Sequence, residues 1–194
     1  MDIHPDSRSR LPLPDREALD EQGRKTYDML ANPEGDSLAG LQGPGGLRLH
    51  SPGLSHGLRA ANQYLRNDAG FDPRVRELAI LVTAREHDCQ FEWAAHEEEA
   101  LSVGLSKELV DIVRHRRPTD GLDEADAAII DFGRELFADH RVTSETYARV
   151  AAMFDRRMLV DLVNLMGMYA MTAAVLIAFD AQIPDGMEPG LPKL

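Results

Sequence analysis

Apolar residues recur along this chain at intervals of three and four, and nowhere do β-branched residues alternate with polar ones over the length of a strand. The pattern predicts helix after helix. Asp15 can cap a first helix carrying Leu19, Tyr27 and Leu30, with Gly23 a weak point inside it. A glycine-rich stretch, 32–46, reads as a long loop. Ser51-Pro52 opens a helix through Leu54, Leu58, Ala61 and Leu65 that stops at 67–70. Asp72-Pro73 opens the next, with Val75, Leu78, Ala79, Leu81 and Val82 apolar, up to a turn at His87-Asp88. Further helices are predicted over 90–103, stopped by Gly104, and over 106–116, ended by the turn 118–121. Three more cover 122–138, a segment opened by Thr143-Ser144-Glu145 with Tyr147, Val150 and Phe154, and 158–179, the longest and most apolar. The fold class is therefore all-α: a compact multi-helix bundle.

At 194 residues the chain fits one domain with a core of ordinary size. The expected organisation is an extended, proline-containing N-terminal arm over 1–14, a single helical domain over 15–180 and an irregular tail over 181–194 that holds Pro184, Pro189 and Pro192. A formal net charge of −12 with no basic stripe argues against nucleic acid, since phosphate binding needs clustered Lys and Arg. Arg114, Arg116 and Arg117 do cluster, around His115 just before Pro118, where they complement a helix C-terminus. Cys89 is the only cysteine, so no intrachain disulfide forms and a reducing, cytoplasmic setting is expected. The N-terminus lacks the apolar core of a signal peptide, and Asp161, Asn164 and Gly167 interrupt the apolar run near the C-terminus, which reads as a buried helix and not a membrane span.

The candidate chemistry lies in Cys89-Gln90-Phe91-Glu92-Trp93-Ala94-Ala95-His96, with Glu77 twelve residues before the cysteine. On a helix Glu92 and His96 are an i, i+4 pair and Cys89 precedes Glu92 by about a turn, so a thiol, a carboxylate and an imidazole would share a face. Burying such a stripe is costly without partners, which makes it either a solvated edge or a site. His96 suits general acid/base work because imidazole titrates near neutrality. Glu77 either orients His96 and relays a proton or merely pairs with Arg74 or Arg76. Glu92 is a second proton carrier if two nearby carboxylates push their pKa values apart. Cys89 is chemical or, as a lone cysteine usually is, a small structural hydrophobe. Trp93 and Phe91 read first as core anchors, with Trp93 also a candidate substrate contact. Arg85 is the nearest cation for an anionic substrate group, and His50, after the glycine-rich stretch, could line an entrance. The carboxylate and imidazole spacing could also hold a metal, but no second histidine-carboxylate pair at helical spacing accompanies it.

These residues resemble the carboxymuconolactone decarboxylase superfamily, which includes the alkylhydroperoxidase D-like proteins. The resemblance rests on Arg76-Glu77-Leu78-Ala79-Ile80-Leu81, Cys89, Phe91-Glu92-Trp93, His96, Ala100, Gly104-Leu105, Leu159-Val160-Asp161-Leu162, Gly167 and Tyr169. It implies an alkylhydroperoxidase D-like bundle that assembles into a homo-oligomer, a trimer or hexamer, and that works without metal or cofactor. In the hydroperoxidase branch a second, reactive cysteine stands where this chain has Glu92, and one sulfur cannot close the internal disulfide that branch turns over. The Glu-Trp-x-x-His form of 92–96 is similar to the decarboxylase branch. The resemblance thus implies a cofactor-independent lyase acting on a small anionic lactone or related carbonyl compound, with His96, Glu77 and Glu92 moving protons. A thiol-dependent antioxidant using Cys89 with an external thiol, and a non-catalytic binding or assembly protein, are the alternatives.

Overall fold

The computed structural model describes residues 2–35 and 37–192, and among them it is helical apart from turns, loops and one isolated bridge between His4 and Ser9. The helices are α1 (Glu21–Ala31), α2 (Pro44–Arg48), α3 (Pro52–Gln63), α4 (Pro73–Glu86), α5 (Gln90–Ser102), α6 (Lys107–Arg114), α7 (Glu124–Phe137), α8 (Ser144–Met153) and α9 (Arg156–Ala178). Most start where a short polar side chain can accept from an otherwise unpaired amide. Asp72 accepts from the Arg74 amide, Ser106 from Leu109, Asp123 from Ala125, Thr143 from Thr146 and Asp155 from Met158. Proline occupies the first turn of α2, α3 and α4, where it loses no hydrogen bond.

α4 runs through the middle of the bundle, with every residue from Leu78 to Ala84 buried and α5, α6, α7 and α9 packed around it. A helix apolar on all sides belongs at such a centre. Gly133 lets α7 approach α4 closely, because a Cβ there would overlap the Val82 side chain. α9 packs on α4, α5 and α8. By length and hydropathy alone it could cross a membrane, yet half of its most apolar 18-residue window is buried inside the domain, as a core helix requires.

Two segments differ from the sequence expectation. The predicted helix from Asp15 is two pieces: a 3-10 turn, Arg16–Ala18, capped by Asp15, and then α1, capped afresh by Asp20, whose carboxylate accepts from the Gly23 amide. Leu19 between them is extended, and its side chain is buried. The glycine-rich stretch is not wholly loop, since it contains a 3-10 turn, Gly40–Gln42, and α2. Gly46 seats α2 against that turn, because any Cβ there would overlap the Leu41 carbonyl.

The first residues pack on the body of the domain. The Arg10 amide donates to the Phe179 carbonyl at 2.8 Å and the Gln182 amide to the Arg8 carbonyl at 2.8 Å, so the N-terminal turn docks on the segment after α9 of its own chain. The tail crosses to α5. Gln90 exchanges two hydrogen bonds with the Leu191 backbone, and Leu191 is buried in the main core.

Candidate active site

Glu77 lies in the second turn of α4 and His96 in the second turn of α5. The packing of these two helices brings His96 Nδ1 to 2.8 Å from Glu77 Oε2, with the glutamate fully buried and the histidine 5 % exposed. Arg76 Nε donates to Glu77 Oε1 at 2.9 Å, and Arg66 Nη2 stands 3.8 Å from the same oxygen. Burial pushes the Glu77 carboxyl upward, but the hydrogen bond and charge of His96, joined by Arg76 and Arg66, outweigh it and hold Glu77 below the ordinary carboxylate range. An ionised Glu77 accepting from Nδ1 places the ring's proton on that nitrogen. In the neutral ring that leaves Nε2 an acceptor, with no partner among the described residues, on a side chain that lines a cavity.

Glu92 behaves differently. It sits one turn before His96, 3 % exposed, and neither carboxyl oxygen has a hydrogen-bond partner among the described residues. Burial pushes its pKa well above the ordinary range, and the charge of Arg48 only partly opposes the shift. The cause is therefore desolvation, not the repulsion between two carboxylates anticipated from the sequence. In its neutral form a carboxyl at this position is a proton donor with no acceptor among the described residues.

Both side chains open onto a cavity of about 610 Å³. Its walls come from α1, α2, α3, α5 and α9 and from the segment before α2, with Phe91, Leu30 and Leu176 among the apolar residues. Arg48, Arg66, Tyr169 and Thr172, none of them a site candidate from the sequence, also line it. Tyr169 meets the His96 ring edge-on, with centroids 5.2 Å apart, and its hydroxyl accepts from Arg66 Nη1 at 3.2 Å. Burial raises the pKa of this phenol, which keeps its own proton.

The carboxymuconolactone decarboxylase family model matches residues 52–130, a span that holds Glu77, Cys89, Glu92 and His96. Over that span the chain is similar to the carboxymuconolactone decarboxylase family. Its fold is shared with an uncharacterised peroxidase-related protein from Ralstonia eutropha that has an alkylhydroperoxidase AhpD core: the TM-score is 0.72 at 17 % identity, covering 94 % of each chain. A protein of unknown function from Agrobacterium tumefaciens, whose description names antioxidant defence and AhpD, aligns with TM-score 0.64 at 18 % identity over 71 % of this chain and 95 % of its own. No curated protein matches the chain. Identities this low speak to fold alone.

Against the superfamily's pattern the remaining candidate residues separate clearly. Cys89 is the extended N-cap residue of α5 and not part of the helix, so its thiol does not continue the Glu92–His96 face. It is buried with Phe91, Ala173 and Leu176, and burial pushes the thiol up to about 12. Arg85, expected to meet a substrate anion, instead pairs with Asp88 and donates through Nε to the Arg114 carbonyl at 2.7 Å, away from the cavity. His50 follows α2 on the outside, with Nε2 2.8 Å from the Pro12 carbonyl. Trp93 is fully buried on the far face of α5, where its indole donates to Glu97 at 2.7 Å. Neither lines the cavity. The arginines that line it are Arg48, Arg59 and Arg66.

Proposed function

We propose that the protein is a cofactor-independent lyase of the carboxymuconolactone decarboxylase type, acting on an anionic lactone or related carbonyl compound through proton transfer at His96 and Glu92. The observation that carries this reading is Glu92, a carboxyl 3 % exposed and without a hydrogen-bond partner among the described residues, one turn from an imidazole that Glu77 orients. Loss of carbon dioxide breaks a carbon–carbon bond, and its electron pair must delocalise into an adjacent carbonyl as an enolate. A neutral Glu92 donates a hydrogen bond to the oxygen where that charge grows, which favours the transition state over the ground state. His96 Nε2 takes up or returns the proton that completes the product, and ionised Glu77 stabilises the imidazolium formed on the way.

The thiol-dependent peroxidase reading draws on the descriptions of the two structural neighbours. The state of Cys89 weighs against it, because the thiolate is the reactive form and burial keeps this thiol protonated. A homo-oligomer remains our expectation, supported by Val160, Val163, Met171 and Ile177, large apolar side chains exposed on α9. The deciding experiment assays purified protein against a panel of lactone carboxylates and peroxides, following carbon dioxide release and thiol consumption separately. Carbon dioxide from at least one lactone, retained in Cys89→Ser and lost in His96→Ala, is the expected result. Thiol-dependent peroxide loss with no carbon dioxide would reverse the assignment.

A further inference from the structure

Arg48 differs from most of the arginines of the interior, and unlike Arg134, which donates to the Arg117 and Ile112 carbonyls, it faces a cavity. Arg74 pairs with Asp126, Arg76 with Glu77, Arg85 with Asp88 and Arg114 with Glu97. Arg48 is partly buried and lines the cavity, yet among the described residues no carboxylate lies within ion-pair distance of it. Its one hydrogen bond runs from Nη2 to the neutral Thr172 hydroxyl at 2.6 Å, and that hydroxyl is itself spent on the Met168 carbonyl. Charges withdrawn from water are ordinarily paired, and a guanidinium with a free edge is a receptor for a planar carboxylate.

The space around it is shaped for more than a charge. Met29, Leu30, Leu38, Leu58, Phe91 and Leu176 line the same cavity. At about 610 Å³ it falls in the roughly 300–1,000 Å³ range of sites that enclose drug-sized ligands, larger than a compact polar lactone needs. Arg48 and Thr172 lie outside the span matched by the family model, and so do Met29, Leu30, Leu38 and Leu176. The acid/base pair thus lies within the matched span, and more than half of the residues that line the cavity lie outside it.

We propose that the ligand of this cavity is an amphiphilic carboxylic acid: its carboxylate sits on Arg48 beside Thr172, and its apolar body fills the space under α1 and the segment before α2. The proposal deepens the lyase reading and rests on it for the reacting end of the ligand, which meets His96 and Glu92. The anchoring itself is testable without turnover.

Isothermal titration with acetate, butyrate, hexanoate and octanoate reads it directly. Affinity should rise with chain length by up to about fourfold per methylene, as for full burial of each group. Octylammonium and 1-octanol, which lack the anion, should bind about tenfold or more weaker than octanoate, the worth of a charge-assisted hydrogen bond. Arg48→Met should weaken octanoate by a similar factor with helix content unchanged by circular dichroism, and Arg48→Lys should recover part of the loss. Should Arg48→Met fail to fold, Thr172→Val and the chain-length series on the unaltered protein still decide the matter. No octanoate binding, equal affinity for acetate and octanoate, or octanoate binding indifferent to Arg48→Met would each overturn the proposal. Binding through Arg48 with no carbon dioxide from any lactone would sink the lyase reading and leave this one standing.

Discussion

Glu92 and His96 lie four residues apart on α5, and one position later Trp93 and Glu97 repeat that spacing on the neighbouring face. On the Trp93 side the polar groups pair with one another: the indole donates to Glu97, Arg114 stacks 5.5 Å from the ring centroid and pairs with Glu97, leaving only its Nε without a partner, and Gly190 lets the tail lie directly against the indole. On the Glu92 side an acid is buried without a partner, against an open cavity. A closed polar network of the first kind fixes packing. An unmatched donor of the second kind costs stability, and it is retained where a ligand completes it.

Substitutions on the two faces should accordingly separate activity from stability. The largest expected effect is on the cavity face, where His96→Ala should lower carbon dioxide release by about 10²- to 10⁴-fold in the folded protein, the usual worth of general acid/base catalysis. Trp93→Ala should do the opposite. Removing a fully buried indole should cost about 3–5 kcal/mol in urea unfolding, whereas whatever protein remains folded keeps its turnover. Loss of turnover at full stability in Trp93→Ala would break the comparison.

Glu92→Gln sharpens it through pH. Because burial raises the folded-state pKa of Glu92, its favourable contribution is complete below the ordinary carboxylate range and is lost as pH rises through the folded pKa. The amide has no proton to lose, so the variant should be the more stable protein at alkaline pH while its turnover falls. A wild-type melting temperature that stays level with the variant's as pH rises would contradict this. Glu77 has the opposite sign. Its folded pKa is lowered, so its stabilisation is present above the ordinary range and disappears on acidification through the folded pKa. Glu77→Gln should therefore be destabilised at neutral pH and converge with wild type in acid. The smallest effect belongs to Cys89→Ser, which should leave carbon dioxide release near wild type because the thiol neither lines the cavity nor ionises near neutrality.

Much of the fold was legible because the chain punctuates its helices strongly. Asp72-Pro73, Ser106, Asp123 and Thr143 mark helix starts, and Gly104, at φ +98°, marks the end of α5. α2 was missed because Pro44-Gly45-Gly46 reads as a breaker locally, whereas the close approach of Gly46 to Leu41 is a tertiary fact. The convergence of Glu77, Glu92 and His96 on one place followed from helical spacing and the family pattern. Cys89 did not follow its spacing, since a helix that begins at Gln90 leaves the residue before it extended. Arg48 and Tyr169 were hidden for a different reason: Arg48 meets Thr172 on α9 across 124 residues, and Arg66 meets Tyr169 across 103. Arg85 looked free only because its nearest neighbour, Asp88, was assigned to a turn and not to its ion pair.

The account depends on two buried carboxyls in opposite protonation states, and a carbon-13 NMR titration of the glutamate side chains measures that directly, with Glu92→Gln and Glu77→Gln assigning the signals. At neutral pH the Glu92 carboxyl should still carry its proton while the Glu77 carboxylate is ionised. Glu92 found ionised at neutral pH in the folded protein would contradict the mechanism.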